Sequence, residues 1–541
     1  MTGTAAKASG LSDKLRRALY ASAPYGWTLG GHPGGPLRAT PVQPWSGDAQ
    51  RGAQILKGSV VFADEQHAID PALWGAGSEA WRAELHGFAW LADLHAVGSD
   101  AARRRARELV ADWMTHHARW DAFAWRPDIL ARRMTSWIAE HDFFCASADD
   151  AFRDAYLVAL ARQSRHMARA ARGTGHGLVR LEIAKALIYA AVALPGPSKR
   201  LEVALQDLER ELRRQILPDG GHAARSGAAQ LRALRALVDV RGCLTAGRHA
   251  LPTALQSAID RAAPALRAFR HGDGALVLIN GADEDESWRI DAVLAQAEAP
   301  GRAPDELRHT GLQRLRAGRT LIIMDAGAPP PEGLDGEAHS GTLAFEMGVG
   351  KDRIIVNCGA RAGAGPVRDA QRATAAHSTL VLDNTNSSEI DASGGFARKP
   401  SAVACRREEG EGAVLVEASH DGYRAKFGAT HTRRLYLSAE GTDVRGEDRV
   451  EAPRSLDAVA RFHLHPSVSA SLQAGGSVLL RTPNGEGWRF QASGGEIVLS
   501  ESVYWGRRDD TRRAEQIELR ARLPEGGGVL KWTFKRLGAD D

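Results

Sequence analysis

Two stretches decide how the second half of this chain folds: HSGTLAFEMGVGKDRIIVNCGA, residues 339–360, and RATAAHSTLVLDN, residues 372–384. In each stretch a histidine with small neighbours stands immediately before a strand-like apolar run. From about residue 310 onward the apolar residues follow a period of two, and Gly, Asn and Asp occupy the turns between short runs. This pattern predicts an antiparallel β-sandwich rather than a mixed α/β domain.

Upstream of residue 300 the pattern is helical, because apolar residues recur at 3.6-residue spacing. We predict helices over 78–95, 99–118, 127–145, 149–172, 177–193, 198–216, 226–246 and 251–269. Paired antiparallel helices of this length suit a bundle, a solenoid or an α/α toroid. The sequence has no repeat of fixed period, which disfavours a regular solenoid.

The composition changes at two places along the chain and predicts three regions. Residues 1–70 are rich in Gly and Pro and are predicted to form an extended arm with a short helix near 11–22. Residues 71–305 form the predicted helical domain. The linker-like EAPGRAPDEL precedes the predicted β-domain, residues 306–541. The fold class expected is therefore multidomain α + β.

The bulk composition excludes several classes of protein. The 541 residues are 43% hydrophobic and 25% charged with a net charge of +4, which indicates a multidomain globular protein without a nucleic-acid partner. The cysteines form no CxxC pair, and we expect free thiols. No phosphate loop, dinucleotide fingerprint or hydrolase elbow occurs. The sequence also lacks a membrane span and a signal peptide, so taken literally it indicates a cytoplasmic location.

The densest polar clusters lie in the predicted β-domain. His339 and His377 have small neighbours that would leave their rings accessible, and histidine is well suited to proton transfer near neutral pH. The alternative is that each histidine is a hydrogen-bonded structural residue. No organic cofactor is expected, although His463 and His465 point to one side of a strand and would allow a structural divalent metal.

The two histidine stretches resemble the C-terminal domain of the heparinase II/III family of polysaccharide lyases. In the helical half, WRAELHGFAWL (81–91), WRPDILARRMTSW (125–137) and ILPDGGHAARS (216–226) resemble that family's toroid segments. The resemblance covers roughly residues 70–530. It implies an α/α toroid followed by the sandwich, a location in the cell envelope or periplasm, and cleavage of uronic-acid polysaccharides by β-elimination.

Elimination requires a group that neutralises the uronate carboxylate, a base for the C5 proton and an acid for the leaving oxygen. The resemblance places an Asn-His pair where this chain has Leu178 and Val179, and a catalytic tyrosine where it has Ala229. Three explanations follow. Tyr423 or His222 supplies the missing group, the chain belongs to a subgroup with a different substrate, or it binds sugar without cleaving it.

The resulting hypothesis is a lyase acting on an acidic polysaccharide in a cleft between toroid and sandwich. The rival hypothesis is a glycan-binding or envelope-assembly protein of the same fold that has lost catalysis. Neither hypothesis predicts an oligomeric state. The candidate catalytic residues are His339, His377, Tyr423 and His222, and the candidate substrate-binding residues are His176, Arg225, Arg126 and Arg372.

Overall fold

The computed structural model describes residues 14–171, 177–361, 365–507 and 510–538. By their internal contacts they form two compact units. The first comprises Met1–Leu212 and Ala236–Gln256, and the second comprises Arg213–Arg235 and Ser257–Asp541. Each unit therefore takes two separate segments of the chain.

Helices dominate the chain before residue 300, as the 3.6-residue period predicts. Their bounds are α1 (14–21), α2 (Ala23–Thr28), α3 (Ala49–Leu56), α4 (Glu79–Gly87), α5 (Leu91–Val97), α6 (Asp100–His116), α7 (Pro127–Ala139), α8 (His141–Cys145), α9 (Asp150–Ala170), α10 (Leu178–Ala193), α11 (Lys199–Gln215), α12 (Gly227–Ala246), α13 (Thr253–Ala268) and α14 (Ser287–Ala297). Two short helices, α15 (Pro366–Arg372) and α16 (Arg424–Phe427), follow between strands. None of the helices in the described part of the chain has the length and apolar character that a membrane crossing requires.

The starts of several helices are set by side-chain caps that the sequence displays. Ser78, Ser99 and Asp149 each accept a hydrogen bond from a backbone N–H in the first turn of α4, α6 and α9. The predicted helix 78–95 is divided in two because Phe88 adopts a left-handed conformation with φ of 58°. The spacing of apolar residues gives no information about a local backbone conformation of this kind.

The core of the first unit is built around buried tryptophans. Trp81, Trp113 and Trp137 are fully buried, and the guanidinium of Arg133 lies 4.1 Å from the centre of the Trp113 ring. Arg133 also donates to the carbonyls of His86 and Ala124. This arginine is therefore a structural core residue.

The predicted extended arm contains more regular structure than expected. Besides α2 and α3 it forms a hairpin of two short strands, β1 (Ser59–Phe62) and β2 (Glu65–Ala68). These elements are short, and Gly and Pro surround them, which explains why periodicity does not reveal them.

Strands dominate after residue 305. They are β3 (Glu306–Leu307), β4 (Leu312–Ala317), β5 (Thr320–Asp325), β6 (Phe345–Val349), β7 (Asp352–Val356), β8 (Leu380–Leu382), β9 (Glu389–Ile390), β10 (Phe396–Arg398), β11 (Val403–Gly410), β12 (Ala413–His420), β13 (Thr430–Leu437), β14 (Asp443–Glu451), β15 (Leu456–Leu464), β16 (Ser469–Leu472), β17 (Val478–Arg481), β18 (Gly487–Ser493), β19 (Glu496–Arg507), β20 (Asp510–Leu523) and β21 (Gly528–Arg536). Within the region of period two, the sequence predicts a strand over 320–325, and β5 coincides with this run.

Two large antiparallel sheets share one apolar core in the second unit. One sheet has the order β11-β12-β13-β14-β21-β18-β17-β16, and the other has the order β19-β20-β15-β7-β6-β5-β4-β3 with β8 added to β15. Inward side chains of both sheets, including Phe345, Phe462 and Trp532, form a single buried cluster. The rings of Phe345 and Trp532 stack with 5.4 Å between their centres.

The compact units do not divide the chain at the predicted helix-to-strand boundary. Segments 213–235 and 257–297 group with the sheets. Hydrogen bonds join these segments to the later part of the chain. The carboxylate of Asp219 accepts hydrogen bonds from the backbone N–H groups of His309 and Thr310, and Asn280 is bonded to His339.

Candidate functional site

The two histidines singled out in the sequence meet inside the second unit. Nδ1 of His339 lies 3.0 Å from Nε2 of His377, and Nδ1 of His377 lies 2.8 Å from the carbonyl oxygen of Ala373. A carbonyl can only accept, so His377 carries its proton on Nδ1 and its Nε2 accepts from His339. His339 is therefore protonated on Nδ1, and its Nε2 presents a lone pair.

The environment keeps both rings neutral. Burial lowers the pKa of His377 to about 4 and lowers the pKa of His339 well below its usual value. Nε2 of His339 has no hydrogen-bond partner among the residues that the structure describes, and 6% of this residue is exposed. At neutral pH the pair offers one proton-accepting nitrogen and no imidazolium.

Close backbone approach permits this pairing. A Cβ added to Gly341 would lie 2.6 Å from Cδ2 of His377, so the position requires glycine. The backbone N–H of Ser340 donates to the carbonyl of Arg372, and the hydroxyl of Thr374 donates to the carbonyl of Ser340. These bonds hold the segment before β6 against the segment before β8.

Arg372, predicted to bind substrate, is a positioning residue in the structure. Its Nε donates to the carbonyl of Ala338 at 2.7 Å, and its Nη2 donates to the carbonyl of Gly394 at 2.8 Å. It is almost fully buried. The guanidinium therefore fixes the loop that carries His339, a role that its place before the second histidine did not reveal.

Arg433 joins the two histidine segments from the sandwich core. Its Nη1 donates to the carbonyls of Leu343 and Ser378 at 3.0 and 2.7 Å. Its Nε and Nη2 form a two-point ion pair with Asp448 at 2.7 and 2.9 Å. Burial would raise the pKa of Asp448, but Arg433 and a bonded histidine, His431, hold it well below its usual value.

Asn280 connects the histidine pair with the segment that follows α11. Its Oδ1 accepts from the backbone N–H of His339 at 3.2 Å, and its Nδ2 donates to the carbonyl of Arg225 at 3.1 Å. Asn280 and Arg225 both have positive φ, 51° and 54°. The structure thus brings Arg225 near His339 through their backbones.

The side chain of Arg225 occupies a buried site between two glycines. Its Nη2 donates to the carbonyl of Thr310. A Cβ added to Gly311 or Gly327 would collide with the guanidinium. Burial lowers the pKa of Arg225. The position is compatible with binding an anion, which is the role the sequence suggested.

His222, predicted to be catalytic, has the contacts of a structural residue. Its Nε2 lies 3.0 Å from Oε1 of Gln215, and its Nδ1 accepts from the backbone N–H of Ala224 at 3.1 Å. Its ring is fully buried, and burial lowers its pKa to about 3. Both ring nitrogens are occupied, so this geometry argues against proton transfer by His222.

Tyr423 is likewise a core residue. It is fully buried among the sandwich side chains, and its hydroxyl donates to the carbonyl of Leu380 at 2.7 Å. Burial raises the pKa of Tyr423 above its usual value. A phenol whose proton is already donated to a backbone carbonyl is not placed to protonate a sugar oxygen, and we abandon that role.

The other two residues predicted to bind substrate are Arg126 and His176. Arg126 belongs to the first unit, where Asp128 and Glu79 accept hydrogen bonds from its guanidinium. Its charge is therefore already neutralised. His176 lies outside the described residues.

The histidines of the predicted metal site are bonded to protein groups. Nε2 of His463 lies 3.0 Å from the carbonyl oxygen of Ala375, and Nδ1 of His465 lies 2.6 Å from the hydroxyl of Ser467. Across the four described ranges, no group of three or more His, Cys, Asp or Glu side chains is arranged to hold a metal ion.

Three residues of the site carried little or no signal in the sequence. Asn280 stands at the end of a strand-like run in the sequence. Arg433 is one of several charged residues near His431, and Asp325 ends another strand-like run. Asp325 is buried near Arg225, and burial raises its pKa to about 6. The signal that would have found Arg433 is its inward position on an alternating strand, where a charge must be paired.

Comparison with known proteins gives matches along most of the chain. The family model described as Heparinase II/III N-terminus matches residues 54–265, and the model described as Heparinase II/III-like, C-terminal matches residues 299–533. FtsZ-localized protein C of Caulobacter vibrioides (strain NA1000 / CB15N) is 32% identical over 523 residues. The match covers 92% of this chain and 90% of that protein.

Two solved structures show the fold. The crystal structure of heparinase III matches with a TM-score of 0.76 at 13% identity, covering 92% of this chain and 86% of that one. Heparan sulfate lyase HepC from Pedobacter heparinus matches with a TM-score of 0.63 at 15% identity, covering 91% and 83%. The predicted fold class, an α/α toroid followed by a β-sandwich, is confirmed.

Proposed function

We propose that this chain, which belongs to the heparinase II/III family, associates with FtsZ and does not cleave polysaccharide. The observation that carries the first half of the proposal is the 32% identity with FtsZ-localized protein C, which extends over nine-tenths of both chains. The region shared by the two proteins therefore makes up most of what could account for the localisation of the relative.

The second half of the proposal rests on the chemistry of elimination. A lyase must neutralise the uronate carboxylate, remove the C5 proton and protonate the leaving oxygen. The histidine pair supplies one proton acceptor, Nε2 of His339. His377 donates its only N–H to Ala373, and the phenol of Tyr423 is bonded to Leu380. None of these residues is a candidate for the acid or for the group that neutralises the uronate carboxylate.

The family's catalytic positions support the same conclusion. Ala229 stands where the resemblance places the tyrosine, and its methyl group is buried. Leu178 stands where it places the asparagine. Neither hydrocarbon side chain can transfer a proton or bind a carboxylate.

Co-sedimentation with polymerised, purified FtsZ tests the association. We expect the full chain to pellet with FtsZ polymers and to stay in the supernatant without them. The double variant His339→Gln/His377→Gln, if it folds, should pellet equally because the proposal assigns no chemistry to the pair. Failure of the wild-type chain to pellet at any FtsZ concentration would refute the association.

A lyase acting on an acidic polysaccharide is the second candidate, and one observation favours it. The relay from Ala373 through His377 to His339 orients a neutral imidazole with an available lone pair, which is the arrangement that a general base requires.

Mass spectrometry of uronate polymers incubated with the chain separates this candidate from the first. Elimination yields products lighter by one water than hydrolysis products, so their appearance would establish a lyase. Loss of these products in His339→Gln, with retention in His249→Gln at an exposed site, would assign the base. Unchanged polymers would remove the candidate.

A further inference from the structure

The second unit contains a cavity of about 680 Å³ whose lining is unusually basic. Four arginines line it, Arg214, Arg225, Arg308 and Arg407, against one acidic residue, Glu306. The histidine pair and Asn280 are absent from its described lining. Glu306 is also occupied, because it forms an ion pair with Arg308 and accepts from Gln313. Glu409 pairs with Arg407 in the same way, so Arg214 and Arg225 are the lining cations that the described residues leave without an ion pair. The cavity therefore keeps a net positive charge.

Arg225 is the buried cation of this cavity. Only 6% of the residue is exposed, and its Nη1 is buried with no hydrogen-bond partner among the described residues. Asp325 and Asp219 act on it only through space, since neither lies within ion-pair distance of the guanidinium in the described structure. A buried guanidinium N–H without an acceptor is costly, so this guanidinium has hydrogen-bonding capacity that the described residues do not use.

The surrounding backbone is built around that guanidinium. Asp219 accepts hydrogen bonds from Thr310 through the backbone N–H and the hydroxyl, which fixes the carbonyl that holds Arg225. Gly311 and Gly327 leave the space that the guanidinium fills. The unpaired Nη1 is therefore held in one orientation and is not a mobile surface charge.

We propose that this cavity binds a small organic ligand through an oxyanion group, with the guanidinium of Arg225 as the central donor and Arg308 and Arg214 at the rim. Guanidinium groups bind carboxylate, phosphate and sulfate by charge-assisted hydrogen bonds. The volume falls in the range of small-molecule sites, and Leu217, Pro329 and Val403 supply apolar contact for the body of the ligand. The inference goes beyond the proposed function and does not depend on it.

Isothermal titration calorimetry of the full chain tests the site with three probes: inorganic phosphate, inorganic sulfate and glucuronate. We expect saturable binding of at least one probe, and the preferred probe identifies the oxyanion. Arg225→Gln should weaken that binding by about tenfold or more, because a charge-assisted hydrogen bond in a buried site is lost. Absence of binding by all three probes at millimolar concentration would overturn the proposal.

Two further variants keep the test decisive. Arg308 and Arg214 are exposed, so Arg308→Gln/Arg214→Gln leaves the core intact and should weaken binding by about threefold. Arg406→Gln is the matched control, since Arg406 is exposed on the same strand as Arg407 but does not line the cavity. If Arg225→Gln fails to fold, unchanged affinity in the rim variant overturns the site. Equal losses in the rim variant and the control overturn it as well.

Discussion

Nδ1 of His339 donates to Nε2 of His377 across 3.0 Å, and this bond joins two stretches separated by 38 residues. The direction of the bond follows from the carbonyl of Ala373, which forces the proton of His377 onto Nδ1. One backbone oxygen therefore sets the tautomers of both rings and determines that His339 presents an acceptor.

The pairing predicts a stability cost when His377 is shortened. His377→Ala should lower the free energy of unfolding by about 1–3 kcal/mol, because it leaves the buried Nδ1–H of His339 without an acceptor. Urea denaturation measures this difference. The exposed His249→Gln should change the free energy by less than about 0.5 kcal/mol. Equal effects of the two substitutions would contradict the pairing.

Arg433 should be far more sensitive than its neighbour in sequence. Arg433→Met leaves Asp448 buried and deprives Leu343 and Ser378 of their donor, so we expect a loss of about 3–5 kcal/mol. Arg434→Met is the matched control, since Arg434 is half exposed on the opposite face of the same strand. It should cost about 1 kcal/mol or less in chemical denaturation. A milder effect at Arg433 than at Arg434 would contradict the core role.

Gly341 should not tolerate a methyl group. Gly341→Ala would place Cβ against the ring of His377, and relief of that contact should cost about 1–3 kcal/mol. Gly336→Ala, at an exposed position where an added Cβ meets no atom within 4 Å, should be nearly neutral. Thermal unfolding of the two variants measures the difference, and a neutral Gly341→Ala would show that the rings are not in contact with this backbone.

Buried neutral histidines predict a loss of stability in mild acid. Burial lowers the pKa of His377 to about 4 and that of His463 to about 3, so the unfolded chain binds protons first as pH falls below 6.5. Each such histidine contributes stability that is present above pH 6.5. This stability is lost as the pH falls towards the folded-state pKa, by about 1.4 kcal/mol per pH unit. Urea denaturation between pH 7 and 5 should show this fall in the free energy of unfolding. In His463→Gln the fall should be smaller, because one of the buried histidines no longer contributes to it. A flat profile would contradict the assigned burial.

Asp325 predicts the opposite sign. Burial raises its pKa from 3.8 to about 6, so the folded chain holds a proton that the unfolded chain releases. Its contribution is present below pH 4 and is lost as the pH rises through 6, up to about 3 kcal/mol. Asp325→Asn should therefore gain stability relative to the wild type as pH rises from 4 to 7. A constant difference between the two proteins over this range would show that Asp325 keeps its ordinary pKa.

Much of the fold follows from periodicity in the sequence. The predicted helices 99–118 and 149–172 correspond to α6 and α9 because apolar stripes and capping side chains agree there. The strand β5 was predicted residue for residue. The helix α14 was missed, since acidic residues precede it and only a few of its residues are buried.

The site was predictable only in part. The sequence identified His339 and His377, whose neighbours are small and whose strands are apolar. It gave no indication that Arg372 and Tyr423 are sealed in the core, because burial of a polar side chain depends on distant partners such as Gly394 and Leu380. Nor does periodicity reveal Asn280, whose role depends on a single backbone conformation.

The absorbance of uronate polymers incubated with the purified chain tests the central claim most directly. Elimination creates a conjugated double bond that absorbs in the ultraviolet, and heparinase III with its own substrate serves as the positive control. We predict no rise in absorbance on any polymer at high protein concentration, while the same preparation binds FtsZ. A sustained rise that disappears in His339→Gln would contradict this account.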